Sequence, residues 1–376
     1  MEREASKPRS NWRERCEAVG FGYHSIDGVY WDESACYRFS ADEVDALEAA
    51  TAELHRICLE ACDFVVRKKR LAEFAIPAQF QQLVAQSWRD REFSVLGRFD
   101  LAWTGEGPPK MLEYNADTPT ALLEASVVQW HWMEEARPGT DQFNSIHERL
   151  IERWKVLRAD APPDARISFA AVRDSEEDTG NVEYLRDTAV QAGFDTQFIA
   201  IEDIGWDAGS KLFVDLRNEP IDALFKLYPW EWLVHDDFGA HLTDRPCQMI
   251  EPAWKMMLSN KAILAVLWEL YPDHPNLLPA YRDPAKITGD YARKPILSRE
   301  GANVALRRAS GPMISEGSYG AEGFVYQSYT PLFRSGGNHA VIGSWIIGEE
   351  PAGIGIREDD SPITRNTSRF VPHYFV

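Results

Sequence analysis

The chain has 376 residues, of which 44% are hydrophobic, 26% charged and 12% aromatic. That balance excludes a disordered chain, and at roughly 150 residues per domain the length fits two or three domains or one interlocked unit. Forty Lys and Arg against fifty-nine Asp and Glu leave a formal charge of −19, which disfavours nucleic acid and anionic membranes as partners. No run of about 18 apolar residues predicts a transmembrane helix. The charged opening, residues 1–15, lacks the apolar stretch of a secretory leader. The five cysteines (Cys16, Cys36, Cys58, Cys62, Cys247) are few and odd in number, which argues for a reducing, cytoplasmic setting. Cys58 and Cys62 would share a helix face, but with only His55 nearby they are expected to be buried thiols rather than metal ligands.

In chain order, residues 1–39 read as irregular and aromatic-rich. Ser40 and Glu43 form a capping-box pair that opens a helix running to about Arg70. Two further helices are expected at 77–89 and 121–137. Between them 94–103 alternates, 104–109 turns, and 110–115 runs extended, the pattern of a β-hairpin. A helix over 142–158 leads to an apolar strand at 167–172, a polar acidic loop at 174–180, a helix at 182–192 and a strand at 196–201. This alternation predicts a small parallel sheet, with another strand at 224–228. A helix is expected over 255–271, closed by Pro272. The last hundred residues read as strands at 291–297, 302–307, 324–329, 340–347 and 352–357. The fold class is therefore mixed α/β and α+β. Three regions are expected: 1–160 with the hairpin, 161–255 as a small α/β substrate unit, and 256–376 as a strand-rich unit.

Three constellations could carry chemistry. Alternate residues of a strand share a face, so a paired hairpin would present Arg98, Asp100, Glu113 and Asn115 together. Two carboxylates and an amide form the all-oxygen donor set that Mg²⁺ prefers, and a neighbouring Arg suits a phosphoryl group. A mixed-charge exposed face is the alternative. Lys294 ends a strand, and the small-residue loop 295–303 could lay N–H groups over phosphates, or be a plain hairpin turn. The segment Val325-Tyr326-Gln327 could offer backbone groups to adenine, or be core. No His-Glu-x-x-His, nucleophile elbow or Gly-x-Gly-x-x-Gly turn is present.

Taken together, these segments resemble the synthetase domain of the glutathionylspermidine synthase family, in the ATP-grasp superfamily. The stretches are Arg98-Phe99-Asp100; Glu113-Tyr114-Asn115-Ala116-Asp117-Thr118; Ser259-Asn260-Lys261 and its apolar helix; Lys294-Pro295 through Asn303; and Gly343-Ser344-Trp345 through Asp359. They occur in the family's order across nearly the whole chain, most like its stand-alone bacterial acid–amine ligases. The chain is too short to include the amidase domain of the bifunctional enzymes.

The resemblance implies an ATP-grasp fold with a small pre-ATP-grasp-like parallel-sheet unit, and ATP and Mg²⁺ as cofactors. By it, Asp100, Glu113 and Asn115 hold Mg²⁺ and Arg98 is catalytic at the γ-phosphate. Phe99, Lys261, Lys294, Gly301, Gln327, Arg357 and Ile363 join Arg98 and Asp100 around the nucleotide. Thr118 and Thr120 lie where relatives contact glutathione. Asp174 and Asp178, in the acidic stretch with Glu176 and Glu177, lie near a polyamine site, or form a solvated loop. Leu227 replaces a polar residue of the glutathione-handling enzyme. The implied reaction joins a small-molecule or peptide carboxylate to an amine through an acyl phosphate. A phosphotransferase or a silent nucleotide-binding protein are the alternatives.

Overall fold

The computed structural model describes residues 1–26 and 28–376. Its largest sheet has six strands, and the hairpin is built into it. Leu96–Ala102 pairs antiparallel with Lys110–Asn115 on one side and with Asn338–Ile347 on the other. Glu350–Asp359 and Arg369–Val371 extend the sheet, and Phe333–Ser335 pairs with Asn338–Ile347. The helix Ala41–Arg67 packs beneath it. Its N-terminus is closed by the Ser40/Glu43 capping box, and Thr51 meets Ser344 of the sheet at 2.7 Å. Cys58 and Cys62 are free and buried in this core.

A second, antiparallel sheet holds Ala280–Tyr281, Phe324–Ser328, Tyr291–Pro295, Ala305–Arg307 and Met313–Ile314 in that order. The third sheet is parallel, ordered Gln248–Ile250, Ala223–Lys226, Arg166–Ala171, Asp195–Ala200. From Arg166–Ala171 the chain goes first to one neighbour and later to the other. The crevice beyond the carboxyl ends of these strands is therefore a topological switch point, where open α/β sheets take ligands. Among the described residues no helix is long and apolar enough to cross a membrane.

Three expectations are corrected. Residues 1–39 are not irregular: Glu2–Ala5 and Ala35–Phe39 pair, His373–Phe375 adds to them, and Trp12–Ala18 is a helix. Local pattern gives no hint, because Ala35–Phe39 lies between Glu2–Ala5, far upstream in the sequence, and the C-terminal strand. The acidic stretch is not a loop beyond Ser175, because the helix Glu176–Gln191 begins inside it. Ser175 accepts the Asp178 N–H at 3.2 Å, and acidic residues in the first turn suit the helix dipole. The helix expected over 255–271 is split into Ala253–Met257 and Ile263–Leu270. At the break the polar groups have other partners: Asn260 accepts the Ala262 N–H and donates to the Phe74 carbonyl, Ser259 accepts the Ala116 N–H, and the Lys261 N–H donates to the Ile296 carbonyl.

The start of strand Leu96–Ala102 is clamped by a buried ion pair. Glu251 accepts the N–H groups of Val95 and Leu96 at 2.9 Å, Lys255 donates to the Leu96 carbonyl at 2.6 Å, and the two side chains meet at 2.6 Å. Lys255→Met leaves Glu251 buried without its cation, so a loss of about 3–5 kcal/mol is expected in urea unfolding. The double variant Glu251→Gln/Lys255→Met should recover most of it. A single-variant loss below about 1 kcal/mol would rule out this clamp.

Candidate functional site

The hairpin register decides the site. Arg98 lies opposite Asn115 and Asp100 opposite Glu113, so all four side chains line one cleft. Phe99 faces the other way, stacked on Tyr114 with ring centroids 3.8 Å apart. The strand's alternation thus removes the Phe99 side chain from the site, contrary to the expectation for it.

Arg98 is held flat along this face. It donates to Asp100 at 2.9 Å and to the Thr120 carbonyl at 2.7 Å. The adjacent strand passes close enough that a Cβ on Gly343 would stand 2.9 Å from the Arg98 Cδ, so a glycine is needed there. Burial opposes the Arg98 charge, but Asp100 and Glu113 more than offset it and raise its pKa.

Two lysines reach the same face from elsewhere. Lys261 sits at the break between Ala253–Met257 and Ile263–Leu270; its Nζ donates to the Ser298 carbonyl at 2.6 Å and pairs with Glu113 at 2.9 Å. Lys294 extends from Tyr291–Pro295 and donates to the Leu112 carbonyl and to Gln327 Oε1, both at 2.8 Å. Gln327 in turn donates to the Met111 carbonyl at 2.9 Å, so its side chain is committed to orienting Lys294. Burial lowers the Lys294 pKa to about 8, with Glu113 pulling it back and Lys261 adding like-charge repulsion. Burial pushes the Glu113 carboxyl up, yet Lys261, Lys294 and Arg98 together hold it below the ordinary value.

The cleft, about 270 Å³, runs between the six-stranded sheet, the second antiparallel sheet and the carboxyl end of the parallel sheet. Ala292, Val304, Leu306 and Ile363 give it an apolar wall. The loop after Lys294 covers it. Gly301 takes φ +69°, and a Cβ there would strike the Thr364 carbonyl and the Ile363 side chain, so the loop lies directly on segment 363–364. Arg299, which sequence reasoning passed over, pairs with Glu231 at 2.8 Å and donates to Thr118 Oγ1 at 2.6 Å. Arg357 lines the cleft while donating to the carbonyls of Ser368, Arg365 and Asn366.

Away from the lysines Asp178 and Glu300 line the cleft beside Arg299 and Arg357. Burial raises the Asp178 pKa to about 6, helped by Glu177 and Glu300. Behind it lies Glu124, fully buried and raised to about 7 chiefly by burial. One Glu124 oxygen accepts the Tyr30 hydroxyl at 2.5 Å and the other has no partner among the described residues. Its helix carries a π-type turn at Glu124–Val128, a distortion often found at functional sites. No sequence motif singles Glu124 out. Asp174 is exposed and outside the cleft, because it precedes the cap of the helix that carries Asp178 inward. Thr118 and Thr120 both line the cleft.

Among the described residues no three His, Cys, Asp or Glu side chains converge as a metal site. The hairpin set differs in kind: two carboxylates and one amide, all oxygen, which suits a hard cation that keeps water and phosphate oxygens as its other ligands.

Comparison with known proteins adds the following. A family model described as glutathionylspermidine synthase preATP-grasp matches residues 3–376. A Haemophilus influenzae protein named "putative acid–amine ligase" is 44% identical over 375 residues, 95% of each chain. The trypanothione synthetase of Crithidia fasciculata is 30% identical over 85% of this chain and 53% of its own length. The bifunctional glutathionylspermidine synthetase/amidase of Escherichia coli is 28% identical over 96% and 63%. The chain thus spans between half and two thirds of those two longer proteins. A glutathione synthetase-like effector from Globodera pallida shares the fold, with a TM-score of 0.59 at 11% identity, covering 99% of this chain and 98% of that one.

The lysine's low pKa has a measurable consequence. The unfolded chain keeps the Lys294 proton to about pH 10.5 and the folded protein only to about 8, so unfolding takes up a proton between those values. Stability therefore gains a rising contribution with pH across that window. Lys294→Met is expected to flatten this rise in denaturation midpoints measured from pH 7.5 to 10.5; an unchanged slope would refute it.

Proposed function

Since the chain belongs to the glutathionylspermidine synthase family, we propose that it is an ATP-dependent ligase that joins a carboxylate to an amine through an acyl phosphate. The observation that carries this reading is the hairpin face: two carboxylates and an amide in register, with Arg98, Lys261 and Lys294 gathered around them. In this reading the architecture is ATP-grasp, with the nucleotide between the two antiparallel sheets and the co-substrates at the end of the parallel sheet.

Asp100, Glu113 and Asn115 would hold Mg²⁺, which when bound offsets the repulsion between a carboxylate and the triphosphate. Lys261 and Lys294 approach from two elements and would bind phosphate oxygens. Lys294 already donates to neutral oxygens, which a phosphate oxygen can replace at no cost in ion pairing. The apolar wall at Ala292, Leu306 and Ile363 suits a base. Gln327 acts through Lys294. Gly301 lets the covering loop close, excluding water that would hydrolyse an acyl phosphate.

The chemistry runs in two steps. A carboxylate oxygen attacks the γ-phosphorus and ADP leaves, giving the acyl phosphate. The amine nitrogen then attacks the acyl carbon, the C–O bond to phosphate breaks, and the ammonium proton is lost. Negative charge grows on phosphoryl oxygens in the first step and on the acyl oxygen in the second. Arg98, already held on the cleft face, needs little reorganisation to meet the first. The acidic end at Asp178, backed by Glu124, suits an ammonium group, and by the relatives' names a polyamine and a glutathione-type acid are the first pair to try.

An ADP-release screen of acid and amine pairs with Mg²⁺ tests the reading, with hydroxylamine as a trapping amine. Hydroxamate formed from acid and ATP identifies the acyl phosphate and amide formed with the amine identifies the ligase; hydroxamate without amide from any amine would point to a phosphotransferase, and no ADP with any pair would sink the proposal. With an active pair, Arg98→Ala should lower kcat on the order of 10²–10³-fold while nucleotide binding stays measurable. Equal losses in both would make Arg98 a ground-state anchor only. Asp100→Asn should raise the Mg²⁺ concentration needed for half-maximal rate; an unchanged requirement would remove Asp100 from the ligand set.

A further inference from the structure

We propose that the buried Asp117–Lys226 pair is a positioning strut, fixing the co-substrate wall of the cleft to the hairpin that faces the nucleotide. The assignment of the two halves rests on the function proposed above; the strut itself rests on geometry.

Asp117 is 1% and Lys226 0% exposed, and they meet at 2.6 Å. The second Asp117 oxygen accepts the Trp230 N–H at 2.9 Å. One carboxylate therefore pins both ends of segment 226–230. Lys226 closes the parallel strand Ala223–Lys226, and Trp230 opens the short helix Trp230–Leu233. Leu227, Tyr228, Glu231 and Trp232, which this segment and helix carry, line the cleft.

On its other side Asp117 is tied to the hairpin through Asn115. Asn115 Oδ1 accepts the N–H groups of Asp117 at 3.3 Å and Thr118 at 3.1 Å, while its Nδ2 donates to the Thr118 carbonyl at 3.1 Å. Both lone pairs of that oxygen are thus engaged. A cation that draws on it competes with the N–H groups of the bend, and Asp117 carries the adjustment to Lys226 and Trp230. A second bridge, Arg299 between Thr118 and Glu231, starts from the same bend.

Stability alone does not account for the pair. A buried ion pair is often no better than apolar side chains of similar volume. What a carboxylate with both oxygens engaged supplies is a fixed position for each donor.

The test is amide hydrogen exchange on the full chain, with Asp117→Leu/Lys226→Met removing both charges together. Without ligand, exchange at 227–232 is expected to quicken at least about tenfold in the double variant, while 110–115 stays within about twofold. Asp117→Asn/Lys226→Met keeps an acceptor for the Trp230 N–H and should restore protection at 230–232. It also decides the matter alone if the leucine variant does not fold: protection kept at 230–232 but lost at 226–228 supports the strut. Unchanged exchange, or equal loss in both segments, overturns it. In a second arm, Mg²⁺ with the non-hydrolysable analogue AMP-PNP should slow exchange at 227–232 in the wild type. The leucine variant should bind the analogue with a Kd within about threefold of wild type yet show no such slowing. Equal slowing in the variant overturns the strut. Failure of the wild type to bind the analogue overturns the proposed function instead, and the ligand-free comparison still decides the strut.

Discussion

The site depends on a charge balance struck at Glu113. Two ammonium groups and a guanidinium, each drawn from a different stretch of chain, are gathered in one cleft, where like charges repel and burial penalises the charges of Lys294 and Arg98. Glu113 is the anion all three see, and Asp100 serves Arg98 at close range. Without Glu113 and Asp100, Lys294, whose pKa burial already lowers, would lose the charges that pull it back up. The same carboxylates are the oxygens a divalent ion would use. A polyanion entering the cleft meets cations already assembled, which is the preorganisation that transferring a phosphoryl group rewards.

The fold is arranged to hold that balance in place. Extended hairpin strands put alternate side chains on one face, and the six-stranded sheet fixes their register from behind. Main-chain carbonyls at Leu112, Ser298 and Thr120 accept from Lys294, Lys261 and Arg98. Each cation is therefore held in part by a neutral carbonyl; Lys261 and Arg98 also pair with Glu113 and Asp100, while Lys294 has neutral hydrogen-bond partners. The covering loop is fixed differently. Gly301 lies against Thr364, and Arg299 ties the loop to Glu231, so the loop over the cleft is also fastened to the helix Trp230–Leu233 that follows the parallel strand Ala223–Lys226.

What could be read in the sequence was what local period dictates. Alternation in 94–103 and 110–115 brings Arg98, Asp100, Glu113 and Asn115 to one face, and the capping box locates the start of helix Ala41–Arg67. Alternation also warned against the Phe99 side chain, a warning the resemblance overrode. What could not be read was long-range. The strand Glu2–Ala5 joins a sheet with the C-terminus, and Asp117 meets Lys226 across 109 positions. Glu124 carries no motif, and its character comes from burial beside Tyr30. The acidic stretch was misread because the same residues that solvate a loop also stabilise a helix start, and only the Ser175 cap separates the two.

Arg98, Lys261 and Lys294 gather around Asp100 and Glu113 at the hairpin end of the cleft, and Asp178 and Glu300 line it elsewhere beside Arg299 and Arg357, which partly counter the rise that burial gives these carboxyls. Burial that raises Asp178 to about 6 and Glu124 to about 7 leaves them able to exchange protons near neutrality, whereas ordinary surface carboxylates could not. In the proposed reaction Asp178, which lines the cleft, would be the carboxylate that meets an ammonium and takes the proton it must lose before attack, whereas Glu124 is buried off the cleft and would act only through its charge.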